Sequence, residues 1–198
     1  MMMKKKIILS LFTCILLLVS SIAGLKWFYT ISGLPQKILN TNNFLCVQVQ
    51  GFSMIGMVDP WEYLWIEKEI KDIRKGDIVL FEGTFKQLYV KKIFGKQWDT
   101  LSLVDTKSGF QVQINGSVVK TSTGVIFEFS KNKKDLLTLY QGILPRDTYF
   151  VLGNHAEGTY DASRFGLINV SQIKGIVREK STRDDFCQYK KTGSYREW

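Results

Sequence analysis

The sequence predicts a mainly β domain preceded by one N-terminal transmembrane helix. Three observations carry that expectation. From Phe44 onward, apolar residues fall in short, often alternating runs separated by Gly, Asp, Asn and Lys clusters, which is the period of half-buried strands. Asn115-Gly116, between FQVQI and SVVK, is a two-residue hairpin turn. A long uncharged run occurs only near the N-terminus, and convincing helical periodicity is confined to it.

In chain order, residues 1–6 end in three lysines and read as a cytoplasmic basic segment. Residues 7–25 (IILSLFTCILLLVSSIAGL) carry no charge. As a helix they rise about 28 Å, against a bilayer core of roughly 30 Å. Lysines before the span hold the N-terminus in the cytoplasm and send the rest across. Trp27, Phe28 and Tyr29 then follow Lys26 as an interfacial aromatic belt. Ser21-Ile22-Ala23 also offers the small-x-small cleavage pattern of a removable signal peptide. Both readings place the remainder on the extracytoplasmic side of the cytoplasmic (inner) membrane, in a single-pass orientation.

Residues 26–43 are rich in turn and polar residues toward their end and read as a linker. The β-rich domain spans 44–180, with strands expected at LCVQVQ, PWEYLWIEK, DIVLFEG, QLYVKKIFG, LSLVD, FQVQI, SVVK, GVIFEFS, DTYFVLGN and KGIVREK. Lys131-Asn132-Lys133-Lys134 reads as a solvated loop, and residues 181–198 as a polar C-terminal tail.

A chain of 198 residues has room for one core plus an anchor. Hydrophobic content of 45% with 23% charged residues excludes a disordered chain. The net charge of +9 comes from scattered lysines, with no helix-turn-helix, zinc-finger or RNP-like pattern. Nucleic acid is therefore not an expected partner, and a basic surface facing anionic membrane lipid is. Cys14 lies in the apolar span, while Cys46 and Cys187 can pair in an oxidising compartment or stay free. With no CxxC and no Cys/His cluster, neither a metal nor a cofactor is expected.

Three blocks carry chemistry. Ser53, in GFSM, is a nucleophile only if a base takes its proton; otherwise it is a turn serine. The chain holds one histidine, so a Ser–His–Asp hydrolase has little material. Lys91 and Lys92 sit inside the apolar strand QLYVKKIFG. Burial neutralises a lysine and makes it a base, whereas outward lysines merely protect an edge strand. Strand alternation lets only one of the two face the core and does not say which. The third block, Gly153 to Gly166 (GNHAEGTYDASRFG), suits a loop folded over a site. Trp61, Tyr63 and Trp65 alternate along a strand and read as core or as an aromatic surface dipping into the membrane interface.

In this order behind an anchor, the blocks resemble the type I signal peptidases over roughly Val47 to Gly175. That family carries a serine-methionine box, a GDIV strand leading to a lysine-arginine pair, and a GDN…S.DSR.FG box. The fold it implies is the signal-peptidase/LexA-like complex β fold. The resemblance implies Ser53 as nucleophile and Lys91 as general base, with the Ser53 backbone N–H donating to the oxyanion. Thr159 falls where a family serine orients the lysine amine. Asp161 matches an aspartate that holds the loop by pairing with an arginine, for which Arg164, offset by one position, is the candidate. His155 stands where the family has a loop asparagine, so a Ser53–His155–Asp161 triad is disfavoured.

Departures point to a divergent branch. Gly56 and Met57 replace the family's proline and threonine, Gly51 stands where some members have a serine, and GDN has become Gly153-Asn154-His155. Conjugative-transfer peptidases of the TraF type, which process pilin precursors, are such a branch. The implied activity is removal of signal peptides from exported pre-proteins. The alternative is a catalytically inactive relative serving as scaffold in a pilus or secretion assembly.

Overall fold

A computed structural model describes residues 36–192 of the chain. The expected membrane span at 7–25 lies outside them, and among the described residues no helix is long and apolar enough to cross a membrane.

The first strands are β1 (Gln36–Asn40), β2 (Phe44–Gln48), β3 (Tyr63–Glu67), β4 (Ile78–Glu82) and β5 (Leu88–Lys96). A second group follows: β6 (Thr100–Asp105), β7 (Gly109–Ile114), β8 (Ser117–Val118), β9 (Glu128–Ser130) and β10 (Gly142–Ile143). The chain then returns through β11 (Thr148–Leu152), β12 (Ile168–Asn169) and β13 (Ile173–Ser181). One sheet of eight strands has the order β1-β2-β3-β13-β4-β5-β11-β12, and a second of five has β10-β6-β7-β8 with β9 on β7. Asn115 and Gly116, both at positive φ, turn β7 into β8 as the sequence predicts.

Val79, Leu80 and Phe81 of β4 are buried in succession because both faces of its sheet are covered. Val79 and Phe81 enter the main core, and Leu80 enters a second cluster with Val47, Met54, Leu64 and Val90. The main core also holds Phe110, Phe127, Phe129 and Phe150, all fully buried. Each such side chain stabilises the fold by about 1.5–3 kcal/mol.

Three segments differ from the sequence reading. Residues 36–40, inside the expected linker, form β1 and pair antiparallel with β2. The N–H and C=O groups along the outer side of β2 need partners, and β1 supplies them despite its polar composition. In the expected solvated loop, Lys131–Lys133 forms a 3-10 turn leading into α1 (Lys134–Thr138), which buries Leu137. The expected polar tail contains α3 (Phe186–Thr192), which buries Phe186 and Cys187; α2 is the short helix Ala162–Phe165.

A Cys46–Cys187 disulfide ties α3 to β2, with the Cα atoms 5.8 Å apart. Trp65 packs in that small cluster, stacked on Phe44 with ring centroids 5.1 Å apart. The expected aromatic face is thereby divided. Trp65 is buried, whereas Trp61 lies before β3 at φ +72 and is 51% exposed.

Candidate active site

Ser53 stands in the connection from β2 to β3. Its neck is closed by backbone bonds from Val49 N to Glu62 O, 2.9 Å, and from Trp61 N to Val49 O, 2.6 Å. Met54 and Val58 plug the turn into the second core cluster, and Ser53 beside them keeps partial access to solvent. Gly56 takes φ +82 in this turn, a conformation that disfavours any residue with a Cβ.

Lys91 lies in β5 between β4 and β11, opposite Val79. It is 2% exposed. Its strand neighbour Lys92 faces the other way and sets its amine 5.1 Å from the Phe94 ring centroid. The Lys91 Nζ is 2.6 Å from Ser53 Oγ and donates to Val90 O at 3.1 Å. Burial pulls the Lys91 amine from the usual 10.5 down to about 8, with the negative charge of Asp161 opposing the fall. About a tenth of the amine is then neutral at pH 7, far more than for an ordinary lysine, and a neutral amine can accept a proton.

The third block leaves β11, whose Leu152 pairs with Lys92 of β5, and so begins beside the lysine. Gly153 lets it pass close to the serine, since a Cβ there would sit 2.5 Å from Ser53 O. Asp161 is fully buried and caps α2. Its carboxylate accepts from Gly153 N, Thr159 N and Ser163 N at 3.0 Å each, and from Thr159 Oγ1 at 2.7 Å.

Thr159 therefore directs its hydroxyl to Asp161, and the amine of Lys91 is held among the described residues by Ser53 and Val90. Arg164 makes no ion pair with Asp161 among the described residues; its Nε donates to Thr159 O at 3.1 Å. The expected Asp161–Arg164 pairing is replaced by N–H groups: Asp161 caps α2 through Ser163 N, and Gly153 N and Thr159 N of the loop also donate to its carboxylate. His155 lies 3.0 Å from Phe52 O through Nε2, and the partner of Ser53 Oγ is Lys91.

Beside the serine and lysine is a small cleft of about 30 Å³, lined by Val49, Gly51, Ser53, Met54, Leu88, Tyr89, Val90 and Lys91. A larger groove of about 790 Å³ lies behind the Glu157–Arg164 loop and includes neither Ser53 nor Lys91. Sequence reasoning noted Asn154 only as a departure from a motif. It is 9% exposed and bonds to both Ile55 O and Ser122 Oγ at 2.7 Å, contacts between distant segments that no local pattern announces.

A serine hydroxyl held against a buried amine is the arrangement of a nucleophile with its base. Residues 8–181 match the family described as signal peptidase, peptidase S26, and the chain belongs to that family. It is similar to signal peptidase I V of Bacillus subtilis strain 168, 25% identical over 170 residues covering 78% of this chain and 98% of that protein. Signal peptidase I P of Bacillus subtilis subsp. natto is 30% identical over 141 residues, 65% of this chain and 71% of its own. A solved signal peptidase I from Enterococcus faecalis V583 aligns with a TM-score of 0.41 at 21% identity, over 56% of this chain and 100% of that one.

Proposed function

We propose that the protein is a membrane-anchored serine endopeptidase that removes signal peptides from exported pre-proteins through Ser53 and Lys91. The observation that carries this reading is the 2.6 Å approach of a 2%-exposed lysine amine to a turn serine hydroxyl. In the proposed reaction Ser53 Oγ attacks the carbonyl carbon after a small residue, and the neutral Lys91 Nζ takes the hydroxyl proton. Negative charge then develops on the carbonyl oxygen, within reach of the Ser53 N–H, which no acceptor takes among the described residues. The ammonium returns its proton to the leaving amine as the C–N bond breaks. Water, deprotonated by the same amine, then hydrolyses the ester and restores the serine.

Thr159, Asp161 and Arg164 support the site through the loop they close. The cleft beside Ser53 and Lys91 would take the side chain before the cut, which the family resemblance makes alanine-sized. The N-terminal segment would hold the catalytic domain at the extracytoplasmic membrane surface, where signal helices of substrates emerge. A dedicated pilin precursor is the narrower version of the substrate reading, motivated by the altered motif positions.

The test is cleavage by the full chain in lipid vesicles, with a general pre-protein and a pre-pilin as substrates. Ser53→Ala should abolish cleavage of both while the unfolding temperature stays unchanged. Full activity in that variant sinks the proposal. A wild-type protein that cleaves neither substrate supports the scaffold alternative.

A further inference from the structure

The turn that presents Ser53 has little stiffness of its own. Residues 52–58 contain no proline, and Gly56 sits at φ +82. Phe52 is 63% exposed and Ile55 is 42% exposed, so side-chain packing grips only Met54 and Val58 firmly. Within the turn, Ile55 N reaches Phe52 O at 3.1 Å, and Met57 N and Val58 N reach Met54 O at 2.9 Å. Gly56 N adds one bond to Asp59 Oδ1, 2.9 Å.

Three carbonyls of this turn are met from the third block. His155 Nε2 is 3.0 Å from Phe52 O. Asn154 N donates to Ser53 O at 2.7 Å, and Asn154 Nδ2 donates to Ile55 O at 2.7 Å. The Asn154 amide is itself locked by one turn of the second sheet. Its Oδ1 accepts from Ser122 N at 2.8 Å and its Nδ2 donates to Ser122 Oγ at 2.7 Å. Its orientation is forced, because Nδ2 faces a carbonyl that can only accept and Oδ1 faces an N–H that can only donate. On the other side Asn154 follows Gly153, whose N–H is fixed by the buried Asp161 carboxylate. The strand before it, β11, is registered on the lysine strand β5. One side chain thus links the strand of the base to the turn of the nucleophile, across 99 residues of sequence.

We propose that Asn154 is a positioning residue that holds the Phe52–Val58 turn and so aims Ser53 Oγ at the Lys91 amine. The inference rests on the Ser53/Lys91 reading for its catalytic consequence, and on the hydrogen bonds alone for its mechanical one. Asn154→Asp tests it with almost no change of volume. The carboxylate has no N–H for Ile55 O and sets two oxygens against each other.

The structure assigns to Asn154→Asp a loss of about 100-fold in kcat with KM altered less than about threefold, since misplacement of roughly 1 Å has that effect on a reacting pair. Hydrogen exchange of amides 52–58 should speed at least about tenfold, with β4 and β13 unchanged. Ser122→Ala removes only the Ser122 Oγ partner of the Asn154 amide. Its loss should be smaller, and adding it to Asn154→Asp should cost nothing more, as expected of two residues acting through one contact. Wild-type kcat in Asn154→Asp overturns the inference, and so does faster exchange spread over all strands, which marks a general structural role. Absence of cleavage by the wild-type protein instead removes the peptidase reading. In that case exchange in the turn still decides whether Asn154 holds it.

Discussion

Replacing Lys91 with methionine should abolish cleavage and at the same time stabilise the fold at neutral pH. Burial takes the Lys91 amine from its usual 10.5 to about 8. Each pH unit corresponds to about 1.4 kcal/mol, so holding the charged amine in this site costs the fold about 3 kcal/mol at pH 7. The pH dependence has a definite sign. Below pH 8 the amine is protonated in the folded and the unfolded chain, and the full cost applies. Between pH 8 and 10.5 the folded protein has released a proton that the unfolded chain keeps, so stability rises with pH. Above 10.5 both forms are neutral and the cost has vanished.

Methionine matches the length of the lysine stem without a charge and adapts to irregular space. It forfeits the contacts to Ser53 Oγ and Val90 O, a net loss of about 1 kcal/mol. The variant should therefore be about 2 kcal/mol more stable than wild type at pH 7, with the gap closing or reversing near pH 10. Urea unfolding followed by tryptophan fluorescence at the two pH values measures this. A variant less stable than wild type at pH 7, or an offset that ignores pH, refutes the burial argument. Retained cleavage refutes Lys91 as the base.

Further expectations concern the same groups. The wild-type rate should climb about tenfold per pH unit on the acid side and level off above a midpoint near pH 8, as Lys91 deprotonates; a flat profile contradicts a lysine base. Asp161→Asn removes the charge that now raises the Lys91 pKa, so the midpoint of its rate profile should move below that of wild type. Its plateau should fall as well, because the carboxylate accepts four loop hydrogen bonds. An upward shift of the midpoint rejects this electrostatic assignment. Cys46→Ser opens a link spanning 141 residues and should cost about 2–5 kcal/mol of stability. Chemical unfolding with and without reductant checks it: only the wild-type curve should move.

Much of the fold was legible because strand alternation is local. The expected runs around Phe44, Leu64, Val79, Val90, Val112, Phe150 and Ile176 all became strands. The exceptions are segments whose structure depends on a distant partner. β1 is polar and becomes a strand by pairing with β2, and α3 is held by the disulfide to Cys46. The conservative reading of both as linker and tail followed from composition, which carries no information about what lies across the sheet.

By itself the sequence determined the family, the mainly β class and the two residues to examine, because motif order and a two-residue period survive in one dimension. Alternation left Lys91 and Lys92 equal and the family resemblance chose Lys91; the covering of both sheet faces is what buries it, with its amine at Ser53. The partners of Asp161 and Asn154 were likewise decided in three dimensions. Hydrogen-bonding capacity is written in each residue type, but the direction in which it is used depends on which backbone groups the fold brings within about 3 Å.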